Sequence, residues 1–269
     1  MHLNYLEKII DRKFQEVASL NKKLEEDPHH PIHEIIQKGG LLREKFKASL
    51  KKNNISIIAE IKRRSPSKGH FKEIKNPDNL ALQYCQGGAA AISVLTDQFG
   101  FGGSLCDLSH ISKTIQNQFP LVPVLRKDFV VHPIQLAESV HAGADCVLLI
   151  VKVLKNKLSD FIAEASRLGL ETLTEVHDEA DIEIANQAGA PIIGINHRNL
   201  SSFQVDLGLS QQLKPLLHSA CISVAESGIQ SAEEVQKLDN IGYDAVLIGE
   251  ALVTAKDPAR LIMQMRGGC

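Results

Sequence analysis

From residue 55 onward, short apolar runs alternate with longer stretches whose apolar positions recur every three to four residues. The runs at 55–62, 89–95, 121–126, 145–151, 170–175, 191–196, 221–226 and 244–249 carry many β-branched residues and predict strands buried on both faces. Between them the pattern predicts helices, among them 77–86, 133–141, 157–168, 179–187 and 232–238. The pairs Gly87-Gly88, Gly143-Ala144 and Gly189-Ala190 each close a helix and open the next strand, as left-handed caps do. Eight such units in one uninterrupted run predict an α/β fold, a closed (β/α)8 TIM barrel. An open doubly wound sheet is the alternative, and it usually carries a glycine-rich turn after its first strand. Here Arg63-Arg64-Ser65-Pro66-Ser67 occupies that place.

Residues 1–50 follow another rhythm. Leu6, Ile9, Ile10, Phe14, Val17 and Leu20 recur at helical spacing until Asp27-Pro28-His29-His30-Pro31 breaks the helix. A second helical stretch, 32–46, is interrupted by Gly39-Gly40. An apolar stripe would be wasted on a free tail, so residues 1–50 are expected to pack on the barrel as an N-terminal helical extension and to lie over its mouth. Residues 1–269 are then read as a single barrel domain. His29, His30 and His33 have no carboxylate or cysteine at a ligand spacing, and no metal is expected there.

Composition narrows the function. The chain is 43% hydrophobic and 23% charged with a formal net charge of −2, so nothing favours general binding to nucleic acid or to an anionic membrane. The longest apolar runs fall far short of the roughly 20 residues a membrane helix needs. The start lacks a charged segment followed by an apolar one, so no signal peptide is expected. Five dispersed cysteines without a C-x-x-C predict reduced thiols and a cytoplasmic setting, with Cys146 and Cys221 as small core residues.

The strand ends carry the chemistry. Glu60 and Lys62 fall on one face of the first strand, Lys127 follows the third, and Glu175 ends the fifth. Asn196 and Arg198 follow the sixth, and Glu226 and Ser227 the seventh. Singly, Glu60 with Lys62 reads as a structural ion pair and Arg63-Arg64 as a solvated charge run. Together, polar groups at the C-terminal ends of parallel strands form the mouth of a barrel enzyme with acid, base and anion-binding capacity. Ser227-Gly228 and Gly249-Glu250 follow the last two strands, where barrels often hold a phosphate on backbone N–H groups. The Gly100-Phe101-Gly102-Gly103 run lacks dinucleotide spacing.

The chain resembles the indole-3-glycerol-phosphate synthase family. The matching segments are Ala59-Glu60-Ile61-Lys62 with Ser65-Pro66-Ser67, Ser93-Val94-Leu95-Thr96-Asp97, Leu125-Arg126-Lys127-Asp128-Phe129 and Thr174-Glu175-Val176. They continue through Gly194-Ile195-Asn196 with Arg198-Asn199-Leu200, Glu226-Ser227-Gly228-Ile229 and Gly249-Glu250-Ala251-Leu252, while Leu6, Lys8, Ile9, Lys13 and Glu16 resemble the opening helix. The chain departs from the family pattern at Gly100, where an aromatic is common, at Ala225, which replaces a serine, and at His197, a variable position. Gly100 is expected to loosen the loop after the second strand and to remove a ring from the mouth.

The resemblance implies a lyase of tryptophan biosynthesis that closes a pyrrole ring on 1-(2-carboxyphenylamino)-1-deoxyribulose 5-phosphate, with loss of carbon dioxide and water. It assigns Lys127 as general acid, Glu175 as base, Glu60 in support, and Lys62 as second cation and second acid. Asn196 joins this catalytic set. Ser65, Arg198, Glu226, Ser227, Phe101 and Phe129 are assigned to the substrate, and Ser227, Gly228, Gly249, Glu250 and Lys62 to its phosphate. A lysine is a poor acid unless its pKa falls; Lys62 and Arg198 are expected to push it that way, with Glu60 and Glu226 opposing. No cofactor is implied. The expected partner is a phosphorylated small molecule, with no nucleic acid or membrane, and the chain is expected to be a monomer or weak homo-oligomer. The sister isomerase of the pathway would need a cysteine and an aspartate as its acid–base pair, and a non-catalytic barrel would have no use for the full set. No second barrel is expected after Arg266.

Overall fold

The computed structural model describes residues 5–51, 54–65, 69–199 and 204–267. Pro66, Ser67 and Leu200, named above, lie outside them. The strands are β1 (Ser56–Ile61), β2 (Ala91–Leu95), β3 (Val124–Lys127), β4 (Cys146–Ile150), β5 (Glu171–Val176), β6 (Ile192–Asn196), β7 (Ile222–Glu226) and β8 (Ala245–Ile248). Each pairs in parallel with its sequence neighbours, and β1 also pairs with β8, with Ser56 opposite Ala245, so the sheet closes. Nearly every strand residue is buried, which is why the strands read as continuous apolar runs.

The extension forms α1 (Tyr5–Glu26), α2 (Pro31–Lys38) and α3 (Lys45–Leu50). The main outer helices are α4 (Pro77–Gln86), α5 (Leu105–Gln118), α6 (Ile134–His141), α7 (Leu158–Arg167), α8 (Glu179–Gln187), α9 (Ala232–Ile241) and α10 (Pro258–Met265). Several begin on an expected cap: Asn76 accepts from the N–H of Asn79, Asp178 from Asp181, and Ser231 with Glu234 forms a capping box. Gly88, Gly143 and Gly189 close three of them with φ of 87°, 87° and 65°.

Alternating strand positions build two apolar layers. Ile57, Ala59, Val94, Val147 and Leu149 belong to the layer under the helices, whereas Ile58, Leu125, Leu148, Leu173 and Val224 fill the barrel. The extension closes the interior at both ends. Phe46 and Leu50 of α3 are fully buried in the inner cluster beside Ala90 and Ala91, at the strands' starting ends, while Ile9 of α1 joins the same cluster from the mouth. Glu171, at the start of β5, fixes this floor by accepting the N–H of Phe46 and that of Lys47, the latter at 2.8 Å. The extension therefore runs from mouth to floor, with α2 packed on α6 between them, and only α1 covers the mouth. Along α1 the buried positions are Ile9, Lys13, Val17 and Leu24; Phe14, expected in the stripe, is half exposed.

Candidate active site

Every site residue predicted from the sequence lines one cavity at the C-terminal ends of the strands, together with Tyr5, Leu6 and Ile9 of α1. Alternation along β1 turns Glu60 inward with Lys62, and the two pair at 2.8 Å. Across the barrel, Lys127 Nζ lies 3.1 Å from Glu175 Oε2 and 3.2 Å from Glu226 Oε2. Glu226 is fully buried, and neither of its oxygens makes an aligned hydrogen bond, so this second contact is a close approach without one. The Asn196 side chain also hydrogen-bonds Glu175, and its Oδ1 accepts the N–H of Arg198 at 3.0 Å.

The charges settle unequally. Burial alone would lower the pKa of Lys127, but Glu175, Glu226 and Glu60 outweigh it and hold the ammonium well above the usual lysine value. The lowering expected from neighbouring cations is thus reversed, because the three carboxylates stand closest. Burial would raise Glu175, yet Lys127 and then His177 bring it below its ordinary range. Glu226 goes the other way: burial pushes it up, and Glu175 and Glu60 add to the rise against the pull of Lys127. Lys127 thus stands between two carboxyls pushed in opposite directions, Glu175 toward its charged form and Glu226 toward its neutral one.

One wall is apolar. The Phe101 and Phe129 rings lie 6.3 Å apart, and α1 lays Tyr5, Leu6 and Ile9 beside them. Gly100 does not loosen this wall. Asp97 caps the helical turn Gln98–Phe101 by accepting the Gly100 N–H at 2.6 Å, and a Cβ on Gly100 would stand 2.8 Å from that carboxylate and 3.1 Å from the Tyr5 hydroxyl. Glycine admits the tyrosine, which supplies a ring where the family pattern carries one in the loop. Lys13 locks the arrangement from a buried position, 3.1 Å from Asp97 and 2.8 Å from Asp128. Nor is Arg63-Arg64 a solvated charge run: Arg63 pairs with Asp107, and Arg64 donates to the carbonyls of Gln98 and Phe99, so the first loop is tied to the second.

At the opposite side, Ser227 and Gly228 both adopt left-handed backbone, with φ of 70° and 84°. That conformation strains a serine. His197 supports it, with Nδ1 2.9 Å from the Ser227 carbonyl and Nε2 on the Ser210 hydroxyl, while burial keeps its pKa low and the ring neutral. A Cβ on Gly249 would stand 2.5 Å from Glu60 Oε1 and 2.9 Å from Lys62 Nζ and would displace the ends of that pair. The Ala225 departure lies in the layer beneath the helices and off the cavity wall.

The sequence reading missed Tyr5, Lys13, Asp128 and His197 as parts of this site. A lysine inside a helix reads as solvent-facing. The available signal was its place four residues from both Ile9 and Val17, in the middle of the apolar stripe.

A closed parallel barrel with ionisable groups gathered at the C-terminal ends of its strands has the architecture of a (β/α)8 barrel enzyme. A family model described as indole-3-glycerol phosphate synthase matches residues 6–265. The indole-3-glycerol phosphate synthase of Chlorobium chlorochromatii is 41% identical over 264 residues, 97% of this chain and 99% of that one. That of Aliarcobacter butzleri is 48% identical over 206 residues, 76% of each. The chain belongs to the indole-3-glycerol phosphate synthase family, whose members are decarboxylating lyases. Among solved structures, thiamine phosphate pyrophosphorylase from Pyrococcus furiosus superposes with a TM-score of 0.61 at 16% identity, covering 80% of this chain and 95% of that one. The 3-hexulose-6-phosphate synthase of Salmonella typhimurium gives 0.61 at 15% identity, covering 79% and 97%. These two show the shared fold alone.

Proposed function

We propose that this chain converts 1-(2-carboxyphenylamino)-1-deoxyribulose 5-phosphate to indole-3-glycerol phosphate, carbon dioxide and water. The observation that carries this reading is Lys127 placed between Glu175 and Glu226, under an apolar wall that suits the anthranilate ring. The phosphate is read at the backbone N–H groups of Ser227-Gly228 and Gly249-Glu250, with Lys62 beside them. Arg198, Asn196 and Ser65 are read as holding the carboxylate and sugar hydroxyls. Bound between these two ends, the substrate brings its ring carbon against its own ketone, and the bond forms within one molecule. Lys127 gives the developing alkoxide a proton. Its raised pKa keeps the proton in place until that much stronger base forms, so it serves as an acid without the lowering expected above.

Ring closure makes the neighbouring nitrogen an electron sink, so the carboxylate leaves as carbon dioxide without metal or organic cofactor. Loss of the hydroxyl as water needs another acid, for which Lys62 is placed, and a base, for which the depressed pKa of Glu175 suits it. Glu60 holds Lys62. All these groups come from one chain, which supports action as a monomer or weak homo-oligomer and a single domain. Among the described residues no helix is long and apolar enough to cross a membrane. The test is steady-state release of indole-3-glycerol phosphate by the purified chain, with carbon dioxide followed in parallel. One of each per substrate consumed is expected; substrate bound without turnover would overturn the reading.

A further inference from the structure

Behind Glu175 stands a buried imidazole that the mechanism above leaves without a task. His177 lies two residues beyond Glu175, just past the end of β5, with 5% of its side chain exposed. Its Nε2 faces Glu175 Oε1 at 3.4 Å, and its Nδ1 faces Asp181 Oδ2 at 3.5 Å. Neither nitrogen makes an aligned hydrogen bond. Asp181 is fixed in the first turn of α8, where its Oδ2 accepts the His177 N–H at 2.9 Å and its own N–H donates to Asp178 Oδ1 at 2.9 Å. Glu175 thus offers one oxygen to Lys127 and the other to the imidazole.

Two buried ring nitrogens, each opposite a carboxylate oxygen, call for an explanation. A neutral imidazole has one N–H, so facing two carboxylates it leaves a lone pair opposed to an oxygen. One added proton on the ring completes the row and leaves Glu175 a carboxylate.

We propose that His177 is a positioning residue that carries the row's proton on its ring and so keeps Glu175 ionised for its attack. The inference rests on the assignment of Glu175 as base. In the dehydration a substrate C–H bond breaks and an O–H bond forms on Glu175. The electron pair enters the new ring double bond as the C–O bond to the hydroxyl breaks, and the hydroxyl leaves as water with a proton from Lys62. Until that attack the ring donates to a carboxylate at each nitrogen, Glu175 at Nε2 and Asp181 at Nδ1. The ketone oxygen leaves as water with two protons; the one Glu175 removes balances the first and solution supplies the second, so no co-reactant is needed.

Among the described residues, the charged groups facing the ring are Glu175 on its own strand and Asp181 on α8. Asp178 at the α8 cap senses the ring's charge and is itself bound by Lys152 at 2.9 Å. Lys127 reaches the ring only through Glu175.

The test is the pH dependence of kcat and KM for His177→Gln, Glu175→Gln and the double variant. Glutamine keeps hydrogen bonding but holds no titratable nitrogen. His177→Gln is expected to lower kcat about 10- to 100-fold with KM within about twofold, and to move the acid limb of the kcat profile up by about one pH unit, because Glu175 loses a neighbour that favours its charged form. In the Glu175→Gln background the same substitution should cost less than about twofold, since a residue acting through Glu175 has nothing left to act on. Equal losses in both backgrounds, or an acid limb that stays in place, would overturn the proposal. If His177→Gln does not fold, Asp181→Asn leaves the ring intact and should still raise the acid limb; a limb unmoved there overturns the proposal equally. Near-normal turnover in Glu175→Gln itself would instead remove the base assignment beneath it.

Discussion

Glu226 ends β7 with its carboxylate buried beside an ammonium that Glu175 also claims. One cation cannot compensate two buried carboxylates, so burial, aided by Glu175 and Glu60, lifts Glu226 well above an ordinary glutamate. The sign of the stability effect follows. An unfolded glutamate titrates near 4.3, so between that value and its raised folded value the folded chain binds more protons, and stability falls as pH rises. Glu226→Gln keeps the shape and discards the titration. The variant should melt above the wild type at pH 8, with the gap shrinking toward pH 5, in calorimetric scans. A gap that does not change with pH, or a variant that melts lower throughout, would contradict the assignment. Gly249 is a second residue-scale test. The Cβ of Gly249→Ala would enter the space of Glu60 and Lys62, so KM is expected to rise about tenfold or more while the thermal midpoint barely moves. An unchanged KM would mean that the phosphate binds elsewhere. Both residues were legible in the sequence as positions after strands 7 and 8. Their protonation and their clearances were not, because those depend on side chains brought in from other strands.

Helix α1 acts as both wall and clamp. Lys13 is almost wholly buried between Asp97 and Asp128, and although burial would lower its pKa these two carboxylates raise it. Lys13→Met would leave both aspartates in the interior without their ammonium, a loss of about 3–5 kcal/mol by the usual cost of breaking a buried pair. Urea unfolding measures it, and a loss below about 1 kcal/mol would show that the clamp contributes little. The wall is tested separately. Tyr5→Ala with Leu6→Ala should raise KM for the anthranilate-bearing substrate about tenfold yet leave inhibition by inorganic phosphate unchanged, because the two ends of the cavity are lined by different residues. Equal weakening of both would make the helix a general stabiliser. The periodicity of Leu6, Ile9 and Val17 announced the helix, but the exposure of Phe14 and the burial of Lys13 follow from where the barrel mouth lies, which periodicity does not encode. The clamp aspartates were hidden for a related reason. Asp97 and Asp128 sit in separate segments of the sequence and meet Lys13 only after β2 and β3 pair.

In the whole molecule, eight strands carry their functional groups to one end, and the extension seals the other. The mouth was readable because strand alternation and parallel pairing fix both the face and the end on which a residue such as Glu60, Lys127 or Glu175 appears. The floor was not, since the path of 32–50 around the barrel depends on tertiary contacts such as Glu171 with the N–H groups of Phe46 and Lys47. The central claim is that this mouth performs ring closure with Lys127 as its acid. It is tested most directly by turnover and equilibrium substrate binding of Lys127→Met, measured together. Turnover is expected to fall about 10²- to 10⁴-fold, the usual worth of a general acid, with the dissociation constant for substrate changed by no more than a few-fold. Turnover within a few-fold of wild type, or a loss explained entirely by weaker binding, would contradict it.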